Sequence, residues 1–261
     1  MKKPLLDVIF ASEKRKNVLL LLQDGSKKMQ FILKALNTTR QALLPQIRIL
    51  EEHYLVTQLD DSYELTTIGK LMADEMKPLL DTVKIFNMDI DYWGTRDLSF
   101  IPPYLFKRIG ELKQCKSIDV PPHEIFSENK QFTKKAKKSK SVFVISSYAF
   151  PNFEKTLHEL IANNVSISII ISKDLCEKLL REHLVIIKKM IRNQNIKLYM
   201  YADNFDFLQV SINDYNILLE LLREDGNYDS KKVTCSGENA PQWGKELFEH
   251  YLKNSTPITE L

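Results

Sequence analysis

Residues 27–52 read KKMQFILKALNTTRQALLPQIRILEE, and this stretch decides the fold of the N-terminal part of the chain. Its first half repeats apolar residues at helical spacing, which predicts a short helix with one buried face. These apolar residues are Met29, Ile32, Leu33 and Leu36.

Asn37 and Thr38 separate this helix from a second one. Either side chain can accept a hydrogen bond from the free N–H groups at a helix start, so we predict a cap there. The second helix has an apolar stripe at Leu43, Ile47 and Leu50. Two short helices joined by a tight turn are typical of a helix-turn-helix.

The opposite face of the second helix carries side chains that suit DNA. Thr38, Gln41, Leu44 and Arg48 project there, with Arg40 on the flank. Guanidinium, amide and hydroxyl groups bind base edges and phosphates. We predict DNA contacts from Thr38, Thr39, Arg40, Gln41 and Arg48 in the major groove, and from Lys27 and Lys28 near the phosphates where the second helix enters.

Two observations count against this interpretation. Any two consecutive amphipathic helices produce a similar pattern. Pro45 also lies inside the second helix, where it removes the hydrogen bond to the Gln41 carbonyl and should kink the helix or delay its start.

The flanking segments complete a winged helix. Ser12 is placed to cap a helix over residues 13–23, which supplies the first helix of a three-helix module. The runs 55–59 and 63–66 are rich in strand-forming residues and are separated by Asp60, Asp61 and Ser62, which predicts a hairpin. A hairpin directly after a helix-turn-helix is the wing of a winged helix.

The charge of the chain is concentrated near its start. Net charge is only +3, but residues 1–58 carry ten lysines and arginines against five acidic residues, so they hold +5 and the remainder −2. A basic segment joined to a near-neutral remainder is typical of a DNA-binding module attached to a second domain. With 44% hydrophobic and 27% charged residues, the chain has the composition of an ordinary folded protein.

A long apolar stripe follows the wing, from Ile68 to Phe86. We expect it to be a dimer interface, although it could instead pack on the following domain. The predicted fold class is therefore an α+β multidomain chain with three parts. These are a winged helix-turn-helix over residues 1–75, a linker and dimerisation helix over 76–103, and a C-terminal α/β sensor-like domain over 104–261.

Strands and helices alternate in the third part, which indicates a sheet covered by helices. The run VSISIIIS at 165–172 is the clearest buried strand, and residues 173–193 predict one long amphipathic helix. Residues 215–222 fit either a strand or a helix.

No catalytic or metal-binding motif is present. The five histidines lack HExxH, HxH and HxxxH spacing, and no nucleophile elbow or phosphate-binding glycine loop occurs. Cys115, Cys176 and Cys235 are isolated, so we predict no disulfide framework and three small buried side chains. We expect no enzyme activity, cofactor or metal.

Aromatic and acidic residues near strand ends form a candidate ligand site. Ligands often bind at such edges in α/β sheets, although aromatics there are more often core residues and Asp203 more often makes a turn. The predicted ligand-binding residues are Tyr148, Tyr199, Tyr201, Asp203 and Phe205.

The chain resembles the two-domain transcriptional regulators of methanogenic archaea. These proteins join a winged helix to a C-terminal domain of the filamentation-regulator type. The matching passages are TRQALLPQIRILEE, YELTTIGK, SIIIS and GNYD…PQWGKELFEHY. The last of them is distinctive, whereas the winged-helix passages are shared with many regulators.

The resemblance implies promoter binding by a dimer, with a C-terminal domain that senses a ligand or mediates assembly. That domain is also distantly similar to the sensor half of TrmB-type regulators and to phospholipase-D-like folds. Because the HxK motif of those enzymes is missing, the resemblance implies binding without catalysis.

The sequence thus predicts a cytoplasmic, homodimeric transcriptional regulator that binds double-stranded DNA and no membrane, with a small-molecule effector. The apolar runs are shorter than the roughly 20 residues of a membrane span. The alternative function is a small-molecule-binding protein or enzyme whose winged helix mediates protein contacts.

Overall fold

A computed structural model describes residues 2–125, 127–228 and 230–260. The chain divides into two compact units, the first ending at Leu80 and the second beginning at Asp81. Each unit has its own apolar core.

The N-terminal unit is a small helical domain with a short antiparallel sheet. Its helices are α1 (Leu5–Phe10), α2 (Glu13–Leu21), α3 (Met29–Ala35), α4 (Arg40–Glu52) and α5 (Thr67–Asn87), the last of which continues into the second unit. Its strands are β1 (Lys27–Lys28), β2 (Val56–Leu59) and β3 (Ser62–Leu65).

The core of this unit follows the apolar stripes of the sequence. Leu43, Ile47 and Leu50 of α4 are fully buried. They belong to one cluster with Val18 and Leu19 of α2. The predicted stripe on the second helix of the pair is therefore confirmed.

Helix caps explain where the helices begin. Ser12 caps α2 as predicted, since its hydroxyl accepts a hydrogen bond from the Arg15 N–H at 3.4 Å. The cap of α4 is Thr39, whose hydroxyl accepts from the Ala42 N–H at 3.4 Å. The expectation of a cap at Asn37 or Thr38 was wrong, because Asn37 takes a left-handed conformation with φ 45° in the turn and leaves the capping position to Thr39.

Pro45 disturbs α4 less than expected. The helix is continuous from Arg40 to Glu52, so its start is not delayed. Pro45 lies on the exposed face of the helix, away from the buried stripe. Water can therefore hydrate the Gln41 carbonyl that its missing N–H leaves without a helical partner.

The wing is present as a hairpin of β2 and β3, with Gln58 paired to Tyr63 and Leu59 to Ser62. The two-residue β1 adds to its other side, where Lys27 pairs with Tyr63. The order helix, helix pair, hairpin establishes the winged-helix architecture of this unit.

The expected linker over residues 76–103 needs correction. Ile85, Tyr92 and Trp93 are buried in the core of the second unit, together with Phe100 and Ile101. Residues 81–103 are thus part of that unit rather than a connection, because their apolar side chains are covered by its own residues.

The second unit is built on one large sheet, with helices before and between its strands. Its helices are α6 (Ile90–Trp93), α7 (Pro103–Phe106), α8 (Lys130–Ala136), α9 (Phe153–Ala162), α10 (Lys173–Glu182), α11 (Leu184–Arg192) and α12 (Ala240–Leu252). Its strands are β4 (Cys115–Asp119), β5 (Ser141–Ser146), β6 (Ser166–Ile171), β7 (Ile196–Tyr201), β8 (Phe207–Asn213), β9 (Ile217–Leu221), β10 (Lys231–Cys235) and β11 (Ser255–Pro257).

The strand order is β11-β7-β6-β5-β8-β9-β10-β4. The neighbours β5, β6 and β7 run parallel, and the other pairs are antiparallel. Alternate residues along a strand point to opposite faces, and accordingly Ile169 and Ile170 belong to two different apolar clusters. One cluster includes α12, and the other includes α8 to α11. The α/β prediction for this part is confirmed.

Two local predictions are resolved by the structure. The single helix expected over 173–193 is broken at His183 into α10 and α11. Residues 217–221, which fitted either state, form strand β9, which is buried along its whole length and contains one charged residue, Glu220.

The prediction for two of the three cysteines was wrong. Cys115 of β4 and Cys235 of β10 are directly paired in the sheet and form a disulfide. They are 120 residues apart in the chain, so only the strand pairing brings them together. Cys176 is a buried free thiol, as expected.

Within the described residues, no helix combines the length and apolar character that crossing a membrane requires.

Candidate DNA-binding surface and C-terminal cavity

The exposed face of α4 presents most of the predicted DNA-binding side chains together. Thr39, Arg40, Gln41 and Arg48 are exposed. Gln41 and Arg48 are seven residues apart and therefore share one helix face. Thr38 is half-buried in the turn.

Leu44 does not belong to this face. It is half-buried and packs against the core cluster of the N-terminal unit. Pro45 takes the exposed position between Gln41 and Arg48 instead.

Arg40 and Arg48 are available to an external partner. Among the residues that the structure describes, neither guanidinium has a hydrogen-bonding or ion-pair partner. Both lie near enough to Tyr63 of the wing to affect its phenol. Burial raises the pKa of that phenol, the negative charges of Glu51 and Asp61 add to the rise, and Arg40 and Arg48 oppose it.

Other basic residues near the start of the chain make hydrogen bonds within the N-terminal unit and stabilise its fold. The Arg15 guanidinium donates to Oε1 of Gln46 at 3.0 Å and to the backbone carbonyl of Val8, tying α1 and α2 to α4. The Lys2 ammonium donates to the Glu52 carbonyl at 2.7 Å. Only some of the basic residues that give this region its charge of +5 are therefore available to bind DNA.

The structure places Lys27 and Lys28 at the start of α3, not at the start of α4. They form β1 against the wing strand β3. Lys28 is exposed, whereas Lys27 is half-buried and its ammonium lies 5.5 Å from the ring centroid of Phe31. A role at the phosphates where α4 enters is not supported by this placement, because both residues precede the first helix of the pair.

The tip of the wing is acidic. Asp60 and Asp61 are exposed between β2 and β3. Carboxylates repel a phosphate backbone, so this hairpin tip is poorly suited to DNA. The binding chemistry of the unit is concentrated on α4.

We predict that Thr39→Ala destabilises the N-terminal unit by about 1 kcal/mol, the usual cost of removing a helix cap. The far-UV circular dichroism transition in urea measures this effect. Thr38→Ala is the matched control, because the adjacent hydroxyl does not cap α4. Equal destabilisation by both substitutions would contradict the capping role of Thr39.

The second candidate site is a cavity in the C-terminal unit. It has a volume of about 120 Å³ and lies between one face of the sheet and helices α8 to α11. Val144, Ile169 and Leu198 contribute to its floor, and Phe132, Leu157 and Leu179 to its helical side. The lining is mainly apolar.

One end of the cavity carries a hydrogen-bonded polar group. The Ser146 hydroxyl lies 3.1 Å from Oε1 of Gln209, and the Gln209 amide donates to the Ser211 hydroxyl at 2.7 Å. All three side chains are buried. Strands β5 and β8 position them, since these strands pair directly.

A buried ion pair adjoins this polar group. The carboxylate of Glu220 on β9 contacts the ammonium of Lys232 on β10, and the two side chains are 2% and 3% exposed. The Tyr148 hydroxyl donates to the other Glu220 oxygen at 3.0 Å. Burial raises the pKa of Glu220, although Lys232 and Tyr148 oppose the rise. The same burial, with the negative charge of Glu220, raises the pKa of Tyr148.

The structure separates the predicted ligand residues. Tyr148 lines the cavity. Tyr199, Tyr201 and Phe205 lie on the opposite side of the sheet, where they pack with the cluster that includes α12. The Tyr201 and Phe205 rings stack with centroids 4.9 Å apart.

These three aromatics therefore serve as core residues, the alternative role that the sequence left open. Asp203 is exposed, and its side chain accepts from the Asn204 N–H at 2.9 Å. Its role is that of a turn residue. Of the five predicted ligand-binding residues, only Tyr148 therefore lies at the cavity.

Sequence analysis did not identify the polar cavity residues Ser146, Gln209, Ser211 and Glu220, or Lys232 beside them. A signal was present in the run ILLEL at 217–221, where Glu220 interrupts an apolar strand. A charged residue in a buried strand requires a partner. The sequence alone could not identify Lys232 as that partner.

In the described ranges, no group of three or more histidine, cysteine, aspartate or glutamate side chains is arranged to hold a metal ion.

Two family models match the chain. The model of the middle domain of the methanogenesis regulatory protein FilR1 matches residues 122–254. The model of the N-terminal domain of that protein matches residues 4–84. FilR1 of Methanothrix harundinacea (strain 6Ac) is 23% identical over 261 residues, which cover 97% of this chain and 58% of that protein. The chain thus spans less than two thirds of the length of this relative.

Two solved structures show weaker similarity. TrmBL2, an archaeal chromatin protein, aligns with 95% of this chain and 94% of its own, with a TM-score of 0.43 and 13% identity. The phospholipase D family member Nuc from Salmonella typhimurium aligns with 56% of this chain and 99% of its own, with a TM-score of 0.39 and 16% identity. Neither similarity is strong enough to support a functional inference.

Proposed function

Because the chain belongs to the family of the methanogenesis regulatory protein FilR1, we propose that it is a sequence-specific, DNA-binding transcriptional regulator. Helix α4 is the recognition helix in this proposal. The C-terminal unit carries an effector site that adjusts DNA affinity.

The observation that carries the proposal is the exposed face of α4. Arg40, Gln41 and Arg48 are exposed there on a helix whose opposite stripe is fully buried. Arginine can bind guanine through two parallel hydrogen bonds, and glutamine can bind adenine in the same way. A rigid helix presenting these groups suits the major groove.

Homodimer formation is part of the proposal. Ile68, Leu71 and Leu79 of α5 are 50%, 56% and 53% exposed. Their spacing places them on one side of the helix, and a second copy of the chain could cover them. Dimeric DNA readers place two recognition helices about one helical turn of DNA apart. The exposed Glu75 lies on the same side of α5, so the interface includes a polar position.

Regulation requires that an effector bind two dimer arrangements with different affinity. We place that effector in the C-terminal unit, because the cavity of about 120 Å³ lies there. A change in the spacing of the two recognition helices would then change DNA affinity.

A second candidate function is a small-molecule-binding protein whose winged helix contacts another protein. The acidic wing tip at Asp60 and Asp61 favours this alternative. Salt dependence distinguishes the two, since DNA affinity falls steeply with ionic strength. A protein-binding wing would retain little DNA at any salt concentration.

The test of the proposed function is a selection experiment. Genomic DNA fragments are bound to the full chain at rising salt, and the retained fragments are sequenced. A palindromic motif that survives physiological salt supports a dimeric regulator. Retention that is salt-labile and free of any motif, both with and without cell extract, would contradict the proposal.

We predict that Arg40→Ala costs about 1–3 kcal/mol of binding to the selected motif and relaxes the preference at one base pair. Arg48→Ala should also weaken binding, and each lost phosphate contact should reduce the salt slope by about 0.9. Fluorescence anisotropy with labelled operator measures both effects.

Arg181→Ala is the matched control for the loss of one positive charge. This arginine is exposed on α10, 72% for its side chain, and the proposal gives it no contact with DNA. An equal loss of affinity in all three variants would show that only net charge matters. That result would remove α4 from the proposed recognition surface.

A further inference from the structure

The size of the cavity limits what it can hold. An engineered apolar cavity of about 150 Å³ binds benzene, and the cavity here measures about 120 Å³. It therefore fits a molecule of about six to eight non-hydrogen atoms. The cavity by itself is too small for a drug-sized ligand or a nucleotide, whose pockets begin at about 300 Å³.

The lining selects an apolar body. The cavity is surrounded by apolar side chains from four strands and four helices. Val142, Ile167 and Ile171 are examples from the sheet, and all three are buried. An apolar group placed among them leaves water and gains stability roughly in proportion to the area that it buries.

The polar end selects one hydrogen-bonding group. Ser211 accepts a hydrogen bond from Gln209. In the described part of the chain, the Ser211 hydroxyl has no acceptor for its own proton. Because the side chain is 2% exposed, water does not replace that acceptor from the outer surface. A ligand oxygen in the cavity can accept this proton.

The charges around the cavity select against an anion. Glu128 and Glu220 line it, and none of its described lining residues is a lysine, arginine or histidine. The Glu220 charge is already balanced by Lys232, which lies outside the lining. A ligand carboxylate would face two carboxylates in an apolar surrounding, where an unpaired charge is costly.

An ammonium group is also disfavoured. Glu128 already accepts hydrogen bonds at one oxygen from the hydroxyls of Thr156 and Thr133, at 2.8 and 3.3 Å. Glu220 is paired with Lys232. Glu128 is only half-buried, so water already reaches its carboxylate. A ligand ammonium would exchange its own hydration for the one remaining oxygen of that solvated carboxylate, which is unfavourable in an apolar cavity.

We infer that the cavity binds an uncharged, mainly apolar molecule of this size with a single hydroxyl or carbonyl group, the size and polarity of benzyl alcohol. The inference rests on the effector role proposed for the C-terminal unit and names the class of ligand. The ligand oxygen lies at the Ser211 end and the apolar body extends toward Ile169 and Leu198.

The segment between β5 and α9 forms one wall of the cavity. A neighbouring surface pocket of about 330 Å³ shares Tyr148, Ala149, Phe150 and Phe153 with the cavity. The Tyr148 hydroxyl ties this segment to Glu220 in the sheet. The segment is thus a wall common to the cavity and the surface pocket.

The test compares four probes of nearly equal size: benzyl alcohol, toluene, benzoate and benzylamine. Each is added at 10 mM to the full chain, and thermal unfolding is followed by tryptophan fluorescence. With a Kd of about 1 mM, benzyl alcohol is expected to raise Tm by about 3–6 °C. Toluene should raise it less, and the two charged probes should leave it unchanged.

Two variants locate the bound probe. Ser211→Ala should weaken benzyl alcohol binding about three- to tenfold, the usual effect of one hydrogen bond, and leave toluene binding unchanged. Ser168→Ala is the matched control, since this serine of β6 lies outside the cavity lining. Val144→Phe, which fills the cavity, should abolish binding of both neutral probes even if Ser211→Ala folds poorly.

Either of two results would overturn the inference. One is binding of benzoate or benzylamine as tight as that of benzyl alcohol, and the other is the absence of any Tm shift with both neutral probes. DNA affinity is measured separately with and without benzyl alcohol. Probe binding without a change in DNA affinity would leave the ligand class supported and contradict only the effector role.

Discussion

Replacing Lys232 with methionine is expected to destabilise the C-terminal unit by about 3–5 kcal/mol at neutral pH, the usual cost of leaving one member of a buried ion pair alone. The substitution keeps most of the side-chain volume and removes the positive charge beside Glu220. Glu220 is 2% exposed, so water cannot solvate its charge. The remaining bond from Tyr148 does not neutralise the carboxylate.

Both tryptophans of the chain, Trp93 and Trp243, are buried in the core of the C-terminal unit. Their fluorescence therefore reports the unfolding of that unit by urea without a contribution from the N-terminal unit. Lys231→Met is the matched control, because Lys231 precedes Lys232 on the same strand. Its ammonium pairs with Asp89 at 3.2 Å in a partly exposed site, where an ion pair contributes about 1 kcal/mol or less.

The pH dependence of the stability of Lys232→Met shows whether the unpaired charge of Glu220 causes the destabilisation. Burial raises the pKa of Glu220 already in the native protein, and the loss of Lys232 removes an influence that lowers this pKa. A carboxyl whose folded-state pKa exceeds its unfolded value binds more protons when folded. The destabilisation that its buried charge causes is therefore complete above the folded-state pKa. It is relieved as the pH falls through that value toward the unfolded-state pKa.

The difference in stability between Lys232→Met and the native protein should accordingly shrink on acidification. The double variant Glu220→Gln with Lys232→Met should recover most of the lost stability, because the amide keeps an acceptor for Tyr148 without a charge. A pH-independent difference, or no recovery in the double variant, would assign the effect to packing instead.

The second large effect is expected from Gly69→Ala in the winged helix. Gly69 lies in α5, and a Cβ atom added there would be 1.8 Å from the backbone carbonyl oxygen of Leu55. That carbonyl accepts a hydrogen bond from the Thr66 N–H at 3.1 Å. The backbone fixes the position of a Cβ atom, and the carbonyl oxygen is itself a backbone atom. A change of rotamer therefore cannot relieve the overlap.

We expect a destabilisation of the N-terminal unit of about 3 kcal/mol or more, at the upper end of overpacking effects. It should outweigh the gain of about 1 kcal/mol that alanine brings to an ordinary helix position. The far-UV circular dichroism transition measures the effect, while the tryptophan transition serves as an internal reference. Lys70→Ala is the control at the neighbouring exposed position, and a similar midpoint for both variants would refute the close approach.

The winged helix could be predicted well because its signals are local. Apolar spacing predicts the stripe at Leu43, Ile47 and Leu50, and the acidic turn at Asp60 and Asp61 separates two strand-forming runs. Each of these patterns depends on residues within a few positions of one another. The error in the helix cap, at Thr39 instead of Asn37 or Thr38, is a shift of one or two residues in a turn.

The exposed face of α4 was predictable for the same reason. Helical periodicity decides which side chains oppose the buried stripe, and it correctly gave Gln41 and Arg48 an exposed position. It failed for Leu44, which lies at the edge of the stripe and packs against the core. Whether Arg40 and Arg48 are free of partners also required the structure, since Arg15 has the same charge but binds Gln46 and Val8.

The C-terminal cavity, unlike the winged helix, could not be predicted from local sequence patterns. Tyr148 follows β5, whereas Tyr201 ends β7 and Phe205 follows it. Tyr148 nevertheless lies on one face of the sheet and the other two pack on the opposite face. The cavity combines Ser146 of β5 with Gln209 and Glu220 of the β8–β9 pair, and 63 positions separate Ser146 from Gln209. The order of strands in a sheet brings such residues together, and no local pattern encodes that order.

The sequence by itself determined the alternation of elements, the winged helix, the buried stripe of α4 and the basic character of the first 58 residues. Only the tertiary structure decided the disulfide of Cys115 with Cys235, the ion pair of Glu220 with Lys232 and the cavity beside it. The physical reason is the range of the interactions. Helix periodicity and turn chemistry act between near neighbours, whereas strand pairing joins residues as far as 120 positions apart.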